Sequence, residues 1–384
     1  MKTIPLYILL VLFFSCKQNE PLKKAKDSKA KSGDFVVRPM SEKEKEEYVS
    51  RVKEMYDTLL LKHHFNGSII VAKNGEILLE DYRGYADFGS KDTITPSTTF
   101  HLASVTKTFT ATAILKLWEE KKLNIDDSIQ VYFPTFPYHN ITLRMMLNHR
   151  SGLPNYVYAM VKDPYWKHRL ANNQDMLKFL IEKQPKWYGY PNRAFNYCNT
   201  NYALLALVIE KVSGVTYPEY LKNNIFKPLG MNHSFVFSKL DSAAYKPSFQ
   251  FNNKPFNLEP MDAIYGDKNV YSTARDMLLW DNALYNNRIV SKATYEEAIK
   301  PTSFEKPGIH NYGMGWRLMT LPNGTVVFHN GWWHGNNNVF ARLIDDTATI
   351  IVLGNKFNKA NYSGMKISSV FKNSTKAEVL DPLE

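Results

Sequence analysis

Phe100-His101-Leu102-Ala103-Ser104-Val105-Thr106-Lys107 is the stretch on which the reading of this chain turns. It passes from polar to apolar and opens a run, Ala103 to Trp118, with apolar residues at Phe109, Ala113, Ile114, Leu117 and Trp118. That spacing predicts a mostly buried helix. A serine and a lysine three residues apart share a helix face, so Lys107 can reach the Ser104 hydroxyl. A hydroxyl is a poor nucleophile until a base takes its proton, and an amine is a base only when neutral. Burial and the positive end of the helix both favour the neutral amine. The same helix end offers the backbone N–H of Ser104 to an oxyanion. Ser-x-x-Lys alone is weak, for it also begins at Ser28, Ser50, Ser303, Ser363 and Ser369. Ser104 is set apart by its place at the start of a buried helix, whereas Ser28 lies in a polar tether and Ser50 on a charged helix.

Outward from that helix, both chain ends read as strands. Upstream, Glu42 to Leu61 has helical spacing at Val49, Val52, Met55, Tyr56, Leu59 and Leu60. Gly67 to Ala72, then Lys73-Asn74-Gly75-Glu76, then Ile77 to Leu79 is a hairpin pattern, because Asn-Gly suits a tight turn between apolar runs. Downstream, Thr325 to Phe328, Val339 to Ile344 and Thr349 to Leu353 read as strands, the last two around an Asp345-Asp346 turn, and Lys366 to Phe371 as a closing helix. Between the ends the chain is helical in flavour, with helices at Tyr202 to Val212, closed by Gly214, and Asp276 to Tyr285. One antiparallel sheet from both ends with a helical insertion is the simplest packing, an α+β fold.

The 384 residues are 44% hydrophobic and 22% charged, with 48 Lys and Arg against 37 Asp and Glu, net +11. This is a globular composition, and it excludes a disordered chain, a collagen-like repeat and a multi-span membrane protein. Met1-Lys2-Thr3, an apolar run from Ile4 to Phe14, then Ser15-Cys16 reads as a signal peptide over residues 1–15. The run is too short for a spanning helix, which needs about 20 residues. Ser15-Cys16 resembles a bacterial lipoprotein signal, cut before Cys16, whose thiol would then carry lipid; the alternative is a plain secretory signal with an incidental cysteine. Residues 17–32 hold six lysines against Glu20 and Asp27, which reads as a solvated basic tether, and 16–45 is expected to be the lipidated Cys with that tether. With that +4 and Lys2 set aside, +6 remains on residues 33–384, and no basic motif accompanies it, so nucleic acid is not an expected partner. The expected location is across the cytoplasmic membrane, lipid-anchored, periplasmic or outer-membrane.

No phosphate loop, His-Glu-x-x-His helix or Gly-x-Ser-x-Gly elbow occurs, and the ten histidines lack metal-site spacing, so neither metal nor cofactor is expected. Two further patterns stand with Ser104 and Lys107: Tyr197-Cys198-Asn199 before a capped helix, and His329-Asn330-Gly331 at a strand end. Together with Leu147 to Pro154, Phe195 to Leu205, Pro228 to Met231 and Tyr312 to Trp316, they make the chain, from about residue 65 to 357, resemble the serine β-lactamase and penicillin-binding protein superfamily, class C β-lactamase-like branch.

The resemblance implies a β-lactamase/transpeptidase-like domain over 46–375. Its antiparallel sheet, from about 65–100 and 310–357, is flanked by helices, and an all-helical lobe spans about 105–300. It implies Ser104 as the acylated nucleophile, Lys107 as its proton partner and Tyr197 as a second proton carrier. Asn199 would hold substrate, with His329 and Gly331 of the third motif beside it. Trp332 would supply the second oxyanion N–H from an edge strand. Many members have Lys-Thr-Gly where this chain has His329-Asn330-Gly331. A histidine is mostly neutral at pH 7, so an ester or D-amino-acid peptide is favoured over a β-lactam as the small substrate. A non-catalytic penicillin- or muropeptide-binding sensor is the alternative. His149 to Leu153 and Cys198 read as structural.

Overall fold

The computed structural model describes residues 39–322 and 324–371. The expected signal peptide, Cys16, the expected tether as far as residue 38 and the chain beyond 371 lie outside them.

The expected hairpin forms from β1 (Gly67–Lys73) and β2 (Glu76–Arg83). Its turn needs positive φ at both central residues, and Asn74 and Gly75 have φ of 52° and 77°. The tail supplies β3 (His310–Tyr312), β4 (Arg317–Leu321), β5 (Gly324–Trp333), β6 (Asn336–Leu343) and β7 (Ala348–Gly354). They join in one antiparallel sheet, ordered β2-β1-β7-β6-β5-β4-β3. The first strand thus closes on the last, from Gly67 opposite Gly354 to Lys73 opposite Ala348.

Both faces of the sheet are covered, so its central strands are apolar on both sides rather than alternating. Ile69, Val71, Val339, Ile350 and Val352 pack toward helix α1 (Glu42–Leu59) and the C-terminal segment, through Val52, Tyr56, Met365 and Ile367. Ile70, Phe340, Ile351 and Leu353 join the opposite core, which includes α2 (Thr106–Glu119), α3 (Asn199–Ser213) and α4 (Ala274–Tyr285). There the Phe109 and Trp280 rings stack at 4.3 Å. Arg342 of β6 is wholly buried and bonds Asp281 of α4 at 2.5 Å, which clamps sheet to helices.

Three details differ from the sequence reading. The helix expected from Ala103 begins as a regular helix only at Thr106, after a tight 3-10 turn at Ala103–Val105. The cause is Ala103, whose φ of 50° lies in the left-handed region and breaks the helical run. The lobe over 105–300 is helical apart from short strands: Phe235–Val236 and Val270–Ser272 make a small sheet with Phe100–His101. Strands of two or three residues carry no readable alternation. The closing helix is a 3-10 helix over Lys359–Val370, started by the Asn358 side chain accepting from Ala360 N. Among the described residues no helix is long and apolar enough to cross a membrane.

Candidate active site

Ser104 is presented by a chain reversal. The Phe100–His101 strand pairs with Val270–Ser272, Leu102 N donates to Val270 O at 2.8 Å, and the backbone then folds back at Ala103. A residue held in that conformation stores about 1–3 kcal/mol of strain. The strain is maintained by close packing on β5. A Cβ on Gly331 would lie 2.2 Å from the Leu102 carbonyl oxygen and 3.3 Å from the Ala103 Cβ. Gly331 therefore acts by having no side chain: it lets the nucleophile turn rest on the strand. Gly331→Ala is expected to cost roughly 1–3 kcal/mol of stability and about 100-fold in kcat/KM, since a shift near 1 Å in reacting atoms has that effect. Thermal melts and steady-state kinetics check both.

Lys107 is fully buried. Its Nζ donates to Ser104 Oγ at 3.2 Å and to the Asp267 carbonyl at 2.8 Å. It also stands 4.9 Å from the centre of the Tyr197 ring and 5.7 Å from that of Tyr202. Asn199 is the first residue of α3, and its buried Oδ1 has no hydrogen-bond partner among the described residues. Such an acceptor is costly to leave unmet and ready for a ligand N–H. Ser104, Tyr197, Asn199 and Trp332 line one cleft of about 690 Å³. Pairing of β5 with β4 ends at Phe328 opposite Arg317, so β5 from Asn330 onward borders the cleft as a local edge. Trp332 lies there with its side chain 62% exposed and its indole N–H donated to His334 O.

His329 is placed otherwise than the resemblance implies. It is buried, its Nε2 lies 3.2 Å from Tyr312 Oη and its Nδ1 2.8 Å from Asn330 O, and it does not line the cleft. Burial, then the Arg317 charge, holds its imidazole well below the ordinary value, hence neutral. Among the described residues lining the cleft, the permanent cation is Arg317, one strand over, which sequence reasoning missed. It lines the cleft, with Cζ 5.2 Å from the Tyr197 ring centre. Its signal was adjacency to Tyr312-Gly313-Met314-Gly315-Trp316, but only the β4–β5 register brings it beside the third motif.

Also missed was a buried polar cluster behind the nucleophile. Asp267, whose carbonyl receives Lys107, also accepts from Tyr156 Oη at 3.0 Å through its carboxylate. The buried Lys268 ammonium donates to Tyr156 Oη and sits 4.8 Å from the Trp333 ring centre. Trp333 Nε1 and His334 Nε2 both reach Asp262, at 2.8 and 3.1 Å. These links tie the Lys107 anchor to the cleft wall.

The neighbouring motif residues are framework. His149 is buried against Tyr197, Tyr202 and Tyr312, and its Nδ1 accepts from Cys198 N at 3.1 Å. Gly152 (φ 71°) allows the carbonyl of Gly189 to approach where a Cβ would stand 2.2 Å from it. Cys198 is buried and its thiol is pushed up to about 11 by burial. Native protein at pH 8 is therefore expected to resist iodoacetamide at Cys198 until urea is added, read by peptide mass. Among the described residues no cluster of His, Cys, Asp and Glu is arranged to hold a metal ion.

A serine backed by a buried lysine, in a cleft between a two-ended antiparallel sheet and a helical lobe, defines a class of two-lobed serine hydrolases. Residues 52–367 match the Beta-lactamase family profile, and the chain belongs to that family. It is a serine hydrolase of the penicillin-binding-protein-like kind. It is 36% identical to penicillin-binding protein 4* of Bacillus subtilis (strain 168), over 81% of this chain and 72% of that protein. It superposes on a penicillin-binding protein from Bacillus halodurans with a TM-score of 0.71 and 26% identity, covering 82% of this chain and 97% of the other. A D-amino acid amidase from Ochrobactrum anthropi SV3 shares the fold, with a TM-score of 0.70 and 22% identity over 84% and 98% of the two chains.

Proposed function

We propose that the protein is an extracytoplasmic serine hydrolase that forms an acyl-enzyme on Ser104 and acts on small peptides or esters carrying a free carboxylate, D-alanyl-D-alanine peptides being the type. The observation that carries this reading is Lys107 Nζ, buried and 3.2 Å from Ser104 Oγ. In the proposed reaction Lys107 takes the hydroxyl proton as Oγ attacks the carbonyl carbon. The oxyanion is held by the backbone N–H groups of Ser104 and Trp332, a pair of donors each of which is typically worth about 3 kcal/mol at the transition state. Tyr197, beside Lys107, passes the proton to the departing amine or alkoxide as the acyl bond breaks. Water then attacks the ester and restores Ser104. Asn199 Oδ1 accepts the substrate amide N–H, and Arg317 pairs with the carboxylate.

Arg317 changes the weight given to substrates. The neutral third-motif histidine argued against a β-lactam for want of a fixed charge, and a permanent cation one strand away supplies that charge for a substrate carboxylate. That supports a carboxypeptidase-like reaction over a plain esterase. The signal pattern of residues 1–15 and Cys16 supports export and a lipid anchor.

The test is a panel of p-nitrophenyl esters, nitrocefin and D-alanyl-D-alanine peptides on wild type, Ser104→Ala and Arg317→Gln. Ser104→Ala should be silent on all. Arg317→Gln should lose roughly 10- to 100-fold in kcat/KM on carboxylate substrates and little on neutral esters. Equal losses on both kinds would remove Arg317 from the reading, and turnover by Ser104→Ala would end it. A stable acyl adduct without product would favour a sensor.

A further inference from the structure

Beyond Tyr197 the cleft does not end. A second pocket, of about 600 Å³, shares Asn155, Tyr158 and Tyr197 with the reaction cleft and continues between the turn after the helix Tyr156–Met160 and the segment Pro185–Tyr188. Its wall is aromatic, from Tyr158, Trp187 and Tyr188, which are 68%, 37% and 74% exposed. Its charges are Lys162 and Lys186. Neither ammonium has a carboxylate within ion-pair distance among the described residues, whereas nearby Lys178 and Lys183 are paired to Glu182 and Asp163.

The pocket is built on fixed backbone. Tyr188 N and Gly189 N donate to Gly152 O at 3.0 and 3.2 Å, beside the Gly152 approach that excludes a Cβ. Tyr138 Oη donates to Pro185 O at 2.6 Å, and the Trp187 ring packs edge-on to Tyr138 at 4.9 Å. Rigid aromatic faces left open to water beside two unpaired cations form a platform that costs little ordering when a chain lies on it. The surrounding surface points the same way: residues 156–193 hold seven Lys and Arg against three acidic residues.

We propose that this second pocket is an extended substrate subsite that takes an acidic peptide segment remote from the scissile bond. Its carboxylates pair with Lys162 and Lys186, and its chain lies on Trp187 and Tyr188. This rests on the reading of the first cleft as a peptide-hydrolysing site, and it names the substrate class: an acidic oligopeptide rather than a free dipeptide. The subsite works by binding alone, so it affects selectivity among substrates and not the chemistry at Ser104.

Two measurements on the whole chain test it separately from that reading. The first is kcat/KM for acetyl-D-alanyl-D-alanine against the same dipeptide extended by a Glu-Glu segment. Wild type should favour the acidic peptide about tenfold over its Gln-Gln analogue, the effect of two modest ion pairs. Lys162→Ala/Lys186→Ala and Trp187→Ala should lose that preference with the short substrate unaffected. The second is binding of the fluorescent acidic peptide to Ser104→Ala by anisotropy, which needs no turnover. Tighter binding than the Gln-Gln analogue, weakened by the lysine substitutions and by salt, supports the subsite even if no peptide is cleaved. Turnover of short substrates with no charge preference overturns the subsite and leaves the hydrolase intact. Retention of the preference in the lysine double variant overturns it too. So does loss of binding to phosphatidylglycerol vesicles in that variant with peptide affinity unchanged, which would make the patch a membrane surface.

Discussion

Ser104→Ala, Lys107→Ala and the double variant are expected to lose the same activity, on the order of 10⁴-fold or more in kcat. The reason is that nucleophile and base work as one unit: without the amine the hydroxyl keeps its proton, and without the hydroxyl the amine has nothing to activate. Once either is gone, removing the other costs little, so the two losses do not add. The structure sharpens this, because among the described residues the Lys107 ammonium donates to the Ser104 hydroxyl and to the Asp267 carbonyl. Single-turnover kinetics on an activated ester read it directly. A double variant worse than either single by the product of their losses would show that Lys107 serves substrate rather than Ser104. Lys107→Ala opens a buried space, so its melting temperature has to be measured beside its rate.

Acidification below pH 6.5 is expected to destabilise the fold through three buried histidines. His101, His149 and His329 are all buried, and burial lowers each imidazole, His101 to about 4 and the other two well below 6.5. Below pH 6.5 the unfolded chain therefore binds protons that the native state refuses. Stability is fully present above about pH 6.5 and falls with pH below it. Each histidine contributes a limiting slope of about 1.4 kcal/mol per pH unit, so the three remove roughly 3–4 kcal/mol between pH 6 and pH 5. That is a large part of an ordinary folding free energy, about 5–15 kcal/mol. Glu80, Asp81 and Asp126, whose carboxyls are held below their ordinary values, act with the same sign only at lower pH. Urea unfolding at pH 7, 6 and 5 measures the slope, and His329→Asn should reduce it by about a third. A flat profile between pH 7 and 5 would contradict the burial of these rings.

What the sequence disclosed is local. Asn74-Gly75 announced the hairpin because its turn geometry is set by two residues. Ser104 and Lys107 stood out because a three-residue spacing at the start of a buried apolar run is read from neighbouring residues. Gly214 announced the end of α3 for the same reason, and it caps that helix with φ of 75°. What the sequence hid depends on distant pairing. Arg317 enters the cleft through its register with Phe328, and Asp267 meets Lys107 across 160 residues. Asp262, Asp267 and Lys268 lie in a loop without periodicity, where a charged residue reads as solvated although all three are buried. His329 was legible as an oddity and not as a position: strand alternation puts it on the lobe side, but only the packing of Tyr312 turns it away from the cleft. The left-handed Ala103 was invisible, since alanine carries no preference for that conformation.

Everything in this site depends on Ser104 Oγ, activated by Lys107, becoming covalently acylated. Intact-protein and peptide mass spectrometry after incubation with benzylpenicillin or a fluorophosphonate tests it most directly. One adduct is expected, on the peptide containing Ser104, absent from Ser104→Ala and strongly slowed in Lys107→Ala. An adduct on another residue, or one that forms equally fast in the Ser104→Ala protein, would contradict it.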